Sequence, residues 1–262
     1  MRPGNCRLIS KMMKYPENFK DLDWNNVTEN PELLANKAIE LKKFQSNQRI
    51  TLPIQDEPFQ RALGVKLEYN WRLGITVNEN GWSEEKARLQ LQNLKLQESD
   101  LNHFRKTIEL LKAQNETVLV EVSGVFTTMN AFLPYEKLIV MTRRSPNEFE
   151  QITGRIIEIL RNYLVWLDSW GVDYIYFTDA VAGVDIVGPK FARKYLGPLL
   201  LKILPVVEEF QQAKVLLCPR VFLTLEIMDS IRPSKVGPFY ASSCSAFKLE
   251  VPIEEGYQLI SL

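Results

Sequence analysis

The stretch from Arg155 to Phe210 constrains the fold most, because it reads as helix, strand, turn and helix without interruption. Ile156, Ile159, Leu160, Tyr163, Leu164 and Leu167 fall at the i, i+3, i+4, i+7 spacing of one apolar helical stripe, and Gly171 ends that helix. Val172-Asp173-Tyr174-Ile175-Tyr176-Phe177-Thr178 follows, rich in the β-branched and aromatic residues of a strand buried on both faces. Asp179 stands at its carboxyl end, ahead of the small run Ala180-Val181-Ala182-Gly183. Pro189 suits the first turn of a second helix, where its missing N–H costs nothing, and that helix is expected to continue through Tyr195 and Leu199 to about Phe210. Helix–strand–helix with an acid at the strand's carboxyl end is the repeating cell of an α/β protein, and that end is where such folds place their chemistry. Asp179 is therefore the first candidate catalytic residue, although an aspartate directly after a strand equally suits a turn or a helix cap.

The chain of 262 residues, 45% of them apolar, is enough for one large core and roughly one α/β barrel. Residues 1–30 read as an irregular arm with isolated apolar anchors such as Phe19 and Trp24, and residues 31–262 as a single domain. Basic and acidic residues balance at 32 each and are mixed throughout, which leaves no electrostatic footprint for nucleic acid. The first residues lack the apolar core of a signal peptide, and no run approaches the roughly 20 apolar residues of a membrane span, so a cytoplasmic protein is expected. Three cysteines without paired spacing read as reduced thiols.

Elsewhere, Pro31 to Phe44 has helical periodicity and Ile50–Ile54 is a short strand. Val65 to Asn80 alternates like a β-hairpin turned near Trp71–Gly74, Ser83 caps the next segment, and Ser99-Asp100 opens a helix through Leu111. The single histidine, His103, falls in that helix, and one histidine excludes any mechanism that needs two. Thr117–Ser123 is a further strand. Glu121 in its middle must be paired, protonated or on a metal if it faces a core, or else points outward near the rim. Ala213–Arg220 is another buried strand with Cys218 at its carboxyl end, followed by a helix over Val221–Met228.

Several of these runs resemble the uroporphyrinogen decarboxylase superfamily. Trp170–Gly183, with Tyr195-Leu196-Gly197-Pro198 after it, is similar to the family's central strand, turn and helix. Ala62-Leu63-Gly64 resembles the tripeptide after its first strand, and Gly124-Val125-Phe126-Thr127-Thr128 its Gly-Pro-Phe/Trp-Thr turn, with Val125 in place of proline. Gly237–Phe247 resembles the final barrel strand, and Leu249–Gly256 the start of the closing helix. The superfamily holds the haem-pathway decarboxylase and zinc-dependent methyltransferases that move methyl groups between corrinoid proteins and thiols.

The resemblance implies a TIM-type (β/α)8 barrel. Only Val221–Val236 separates the two cysteine strands, where the superfamily has two more strand–helix units, so a shortened or incomplete barrel is expected. Its free strand edges would be covered by the amino-terminal arm or by a partner subunit, as in a homodimer. It further implies Asp179 and Asp56 as catalytic acids, the latter one residue from the family's position at Gln55. Gly124, Phe126, Thr127 and Gly183 are implied as substrate-binding residues. Cys218 and Cys244 match the methyltransferases' zinc cysteines, while Leu216 stands where their histidine would be, so a third metal ligand would come from Glu121, Asp179, Asp56 or His103.

The implied function is methyl transfer between a corrinoid carried by a partner protein and a thiol or similar small-molecule acceptor at a zinc–thiolate site. One alternative is a decarboxylase of porphyrin biosynthesis, although its Arg-Gln-Ala-Gly-Arg segment is not found and only scattered arginines such as Arg143, Arg144 and Arg193 remain. The other is a non-catalytic binding or scaffold relative.

Overall fold

The structure is a computed structural model that describes residues 15–54, 58–70, 74–77, 83–235, 237–241 and 256–260. Nine strands are defined: β1 (Ile50–Leu52), β2 (Leu67–Asn70), β3 (Gly74–Val77), β4 (Val118–Ser123), β5 (Tyr174–Thr178), β6 (Lys214–Leu217), β7 (Ile231–Ser234), β8 (Phe239–Ala241) and β9 (Gly256–Leu259). Seven of them form one sheet in the order β1-β4-β5-β6-β8-β9-β7. The run from β1 to β8 is parallel, and β9 and β7 close the far side antiparallel. Helices fill the crossovers between the parallel strands, as a parallel sheet requires. This is the α/β architecture of a TIM-type barrel relative, and among the described residues its sheet is not closed.

One helix, Pro219–Ile227, and the short β7 are all that lie between β6 and β8, so those two parallel strands become direct neighbours. β9 begins at Gly256, where the closing helix was expected to be under way, and pairs with β7 from Ile231↔Leu259 to Ser234↔Gly256. The hairpin is confirmed as β2–β3, paired from Leu67↔Val77 to Asn70↔Gly74, with its turn outside the described residues. In the arm, Phe19 and Trp24 are both buried and stack edge-on at 5.7 Å, which ties this segment to the core.

The helix before β5 is longer than its periodicity alone showed, running Pro146–Ser169, with Pro146 in its first turn. The helix after β5 departs from expectation. A short turn of helix, Val184–Val187, precedes Pro189–Phe191, and the rest is interrupted by a π-turn at Ala192–Leu196 before Gly197–Ile203 and a final 3₁₀ segment, Leu204–Glu209. Pro198 explains the interruption. It has no N–H for the carbonyl four residues back and its ring would press on that carbonyl, so Gly197 bonds five residues back, to Ala192, and widens the turn.

The parallel strands present two different faces. Val120, Val122, Ile175, Phe177, Val215 and Leu217 are all at most 1% exposed and lie in register on one side, the face the helices cover. The opposite, concave side carries Glu121, Tyr176, Leu216 and Tyr240 in one row across β4, β5, β6 and β8. Among the described residues, no helix is long and apolar enough to cross a membrane.

Asp168, at the end of the long helix, holds the approach to β6 by accepting from the backbone N–H groups of Gln211 (3.0 Å), Gln212 (3.0 Å) and Ala213 (2.7 Å). Asp168→Ala is expected to lower stability by roughly 1–2 kcal/mol in urea unfolding, because water can solvate only part of what three donors lose. Asp168→Asn should recover most of it.

Candidate functional site

The carboxyl ends of β4, β5 and β6 converge on one rim, and the first side chain fixed there is Asp179. Its Oδ1 accepts from the Thr127 backbone N–H and from the Thr127 hydroxyl, both at 2.7 Å, and its Oδ2 accepts from the Phe126 backbone N–H at 3.1 Å. These donors open the helix Val125–Asn130, so the aspartate after β5 caps the helix after β4. Gly124 makes the approach possible. A Cβ there would lie 2.8–2.9 Å from the Asp179 side chain, and its own N–H donates to the Thr178 carbonyl at 2.6 Å. Four residues singled out from the sequence, Gly124, Phe126, Thr127 and Asp179, are thus brought into one contact. Phe126 points into the core, edge-on to Phe191 at 6.0 Å and fully buried. Burial pushes the Asp179 carboxyl up to about 6, against the Thr127 and Phe126 hydrogen bonds that pull it down.

The next turn of the rim is clamped by a residue the sequence reading passed over. Arg220, in the first turn of Pro219–Ile227, is buried, and a cation at that end of a helix needs a strong partner. Its Nε and Nη2 donate to the Asp185 carboxylate at 3.0–3.2 Å, and its Nη1 donates to the Ala180 carbonyl. Gly183 lies under this fork, since a Cβ there would come within 2.6–2.7 Å of the Arg220 side chain and 2.3 Å of Asp185. Arg220 was visible only as the residue two after Cys218, and nothing local marks its pairing with Asp185, 35 positions away.

The concave wall below this rim holds the remaining candidates. Glu121 is level with Tyr176 and Leu216, so the outward-facing possibility is removed. Burial pushes its carboxyl up to about 7, while part of the residue's surface remains exposed. Cys218 follows β6 on the same face, beside Tyr176 of β5, and is 1% exposed. Burial, Cys218 and Glu121 together push the Tyr176 phenol above its ordinary value.

Among the described residues, no three His, Cys, Asp or Glu side chains converge as a metal site. Cys218 and Glu121 share a wall but sit on strands separated by β5. Asp56 and Cys244 lie outside the described residues. His103 lines a small void with Thr28, Pro53 and Phe104, just past the carboxyl end of β1. A depression of about 730 Å³ lies between Glu29–Glu32 and Lys106–Ala113 and touches none of these residues.

Comparison with known proteins fits this geometry. The sequence matches the family described as uroporphyrinogen decarboxylase (URO-D) over residues 7–232. The chain belongs to the URO-D family. Among solved structures it is similar to a methyltransferase from Methanosarcina mazei, with a TM-score of 0.63 and 17% sequence identity over 80% of this chain. The chain spans 63% of the length of that protein. No curated protein matches it. For this URO-D family member, the match covers the whole rim from Gly124 to Arg220, whereas Cys244 falls beyond it.

Two outcomes test the site's physics. Gly124→Ala is expected to cost about 1–3 kcal/mol by urea unfolding, because both the Cβ and the carboxylate it meets are fixed. The second outcome concerns Glu121, whose folded pKa is raised from 4.5 to about 7, so the folded state holds a proton that the unfolded state has released. Stability from this group is therefore lost as pH rises from 4.5 to 7 and is level above. Asp179 acts in the same direction between 3.8 and about 6. Glu121→Gln should be more stable than wild type at pH 8 by roughly 1–3 kcal/mol, with the gain gone near pH 4. A wild-type advantage at pH 8 would contradict this.

Proposed function

We propose that this chain is a methyltransferase-like member of the URO-D family, moving a methyl group between a corrinoid carried by a partner protein and a thiol or similar small acceptor. The observation that carries the reading is the placement of Cys218. It stands at the rim end of β6, and β8 pairs beside β6 with Leu217 opposite Ala241. Cys244 follows Ala241 by three residues in the sequence and lies outside the described residues. The structural likeness to a methyltransferase supports the same reading.

Zinc in this reading would be held by the Cys218 and Cys244 thiolates, with a further ligand sought from Glu121, Asp179, Asp56 or His103. Bound there, it would hold an acceptor thiol as its thiolate near neutral pH. The chain's own residues do the rest. Tyr176, buried on the neighbouring strand, packs on the same face as Cys218. Asp179 fixes the Gly124–Thr127 turn as one wall of the mouth, and Arg220 fixes the Ala180–Asp185 turn as another. Both turns are rigid before any ligand arrives, which favours an ordered mouth over one assembled on binding.

The family match favours a second reading, a decarboxylase acting on a porphyrinogen. That substrate's carboxylates need several free cations, and the described arginines near the rim are engaged. Arg220 is bonded to Asp185, and Arg193 donates to the Ile227 carbonyl at 3.1 Å.

The test incubates the purified chain with methylcobalamin and a thiol, following loss of the methylcobalamin spectrum, alongside zinc content under reducing conditions. Methyl transfer with about one zinc per chain, both abolished in a Cys218→Ala/Cys244→Ala variant, is expected. Conversion of uroporphyrinogen without methyl transfer would establish the decarboxylase. A folded, zinc-free chain active in neither assay would leave a non-catalytic binding relative.

A further inference from the structure

At the foot of the sheet, where the parallel strands begin, the acids are taken up by lysines of the covering helices. Glu116 pairs with Lys42, and Asp173 accepts from Lys112 at 2.6 and 2.7 Å and from the Val118 backbone N–H at 2.8 Å. The concave side of the same end carries cations instead. Thr51, Leu119, Tyr174 and Lys214 form one row across β1, β4, β5 and β6. Arg49, just ahead of β1, reaches across β4 and lays its guanidinium on the Tyr174 ring, 4.2 Å from the centroid. Among the described residues, Arg49 and Lys214 have no ion pair and the Tyr174 hydroxyl has no hydrogen-bond partner.

Arg49 is the anomaly in this row. Its Nη1 is buried and meets no hydrogen-bond acceptor, a condition that native structures rarely leave unanswered. The tyrosine ring satisfies the flat face of the guanidinium, but the N–H groups lie in the plane of that group and point past the ring edge. A stacked arginine is thus held in one orientation with its donors free. Arg49 and Tyr174 are only half-buried and Lys214 is exposed, so an acceptor can reach them from solution. Lys214 stands one strand beyond Tyr174, a spacing of about 4.8 Å, and brings a second cation to the same ring from the other side.

The chemistry of these groups selects the ligand. Arginine and lysine only donate, and the tyrosine hydroxyl and the Thr51 hydroxyl can donate as well, so the complement is an anion rich in acceptors. Two cations without a neighbouring acid suit a charge near −2 better than the single charge of a carboxylate. A phosphate group carries about −1.5 to −2 near neutral pH and offers three oxygens, two of which match the guanidinium fork.

We propose that Arg49, Tyr174 and Lys214 form a binding site for a phosphate group, free or carried by a small molecule, at the foot of the sheet. The site lies at the opposite end of β6 from Cys218 and does not depend on the reaction performed at the rim.

Inorganic phosphate, glycerol 3-phosphate and acetate are titrated into the full chain by calorimetry at pH 7.5 and constant ionic strength, in wild type, Arg49→Gln, Arg49→Lys and Lys214→Gln. Phosphate is expected to bind wild type about tenfold more tightly than acetate. Lys214 is exposed, so Lys214→Gln should fold as wild type does and weaken phosphate binding by roughly three- to tenfold. Arg49→Gln should weaken it by about tenfold or more, and Arg49→Lys nearly as much, because an ammonium keeps the charge and loses the fork. Phosphate should raise the melting temperature of wild type and leave that of Arg49→Gln unchanged. Tighter binding of glycerol 3-phosphate than of inorganic phosphate would mark an esterified ligand, and the reverse order the free ion. Wild type that binds no phosphate, acetate that binds as tightly as phosphate, or an affinity unchanged in both Arg49→Gln and Lys214→Gln would overturn the site.

Discussion

The contact between Asp179 and the Gly124 turn joins the ends of two neighbouring parallel strands, and the rim is built out from it. In a parallel sheet each strand end releases its chain into a separate crossover, so nothing in the ladder itself fixes one loop against the next. Here a carboxylate at the end of β5 satisfies helix-terminal donors after β4, and a glycine removes the only atom that would keep them apart. Arg220 repeats the device one strand further on, tying the helix after β6 to the turn after β5. The interactions cross from one β–loop–α unit to the next, which makes the mouth a single connected surface.

This arrangement changes what a conserved-looking acid at a strand end can be taken to mean. Asp179 sits where α/β folds put their reacting groups, yet three accepted hydrogen bonds occupy its oxygens and it is buried. Its work is to position the turn. Another buried carboxyl is Glu121, in the middle of β4, which no cation is shown to neutralise among the described residues and which burial pushes up to about 7. Retaining such a group costs stability, and a cost of that kind is characteristic of sites that bind or react.

Much of the scaffold was legible because its signals are local. The stripe from Ile156 to Leu167 and the apolar runs of β4, β5 and β6 made the α/β architecture legible. The continuous helix expected after Pro189 was not found, because one proline inside an otherwise apolar period breaks the hydrogen-bond ladder without changing the pattern. The pairing of Gly124, Phe126 and Thr127 with Asp179 was anticipated as a neighbourhood, through resemblance, but not as a cap. Arg220 with Asp185 gave no signal, since an arginine that will be buried looks the same in a sequence as one that will not.

The sequence by itself determined most of which segments are strand and helix, and that Asp179 and Cys218 follow strand ends. Those properties follow from periodicity and turn chemistry, which act over a few residues. Only the tertiary structure decided that Glu121 faces the concave side, that Tyr176 stands between it and Cys218, and that Asp179 is spent on holding a neighbouring turn. Each of these depends on register between strands some 40 to 55 residues apart, and a shift of one residue would send every side chain to the opposite face.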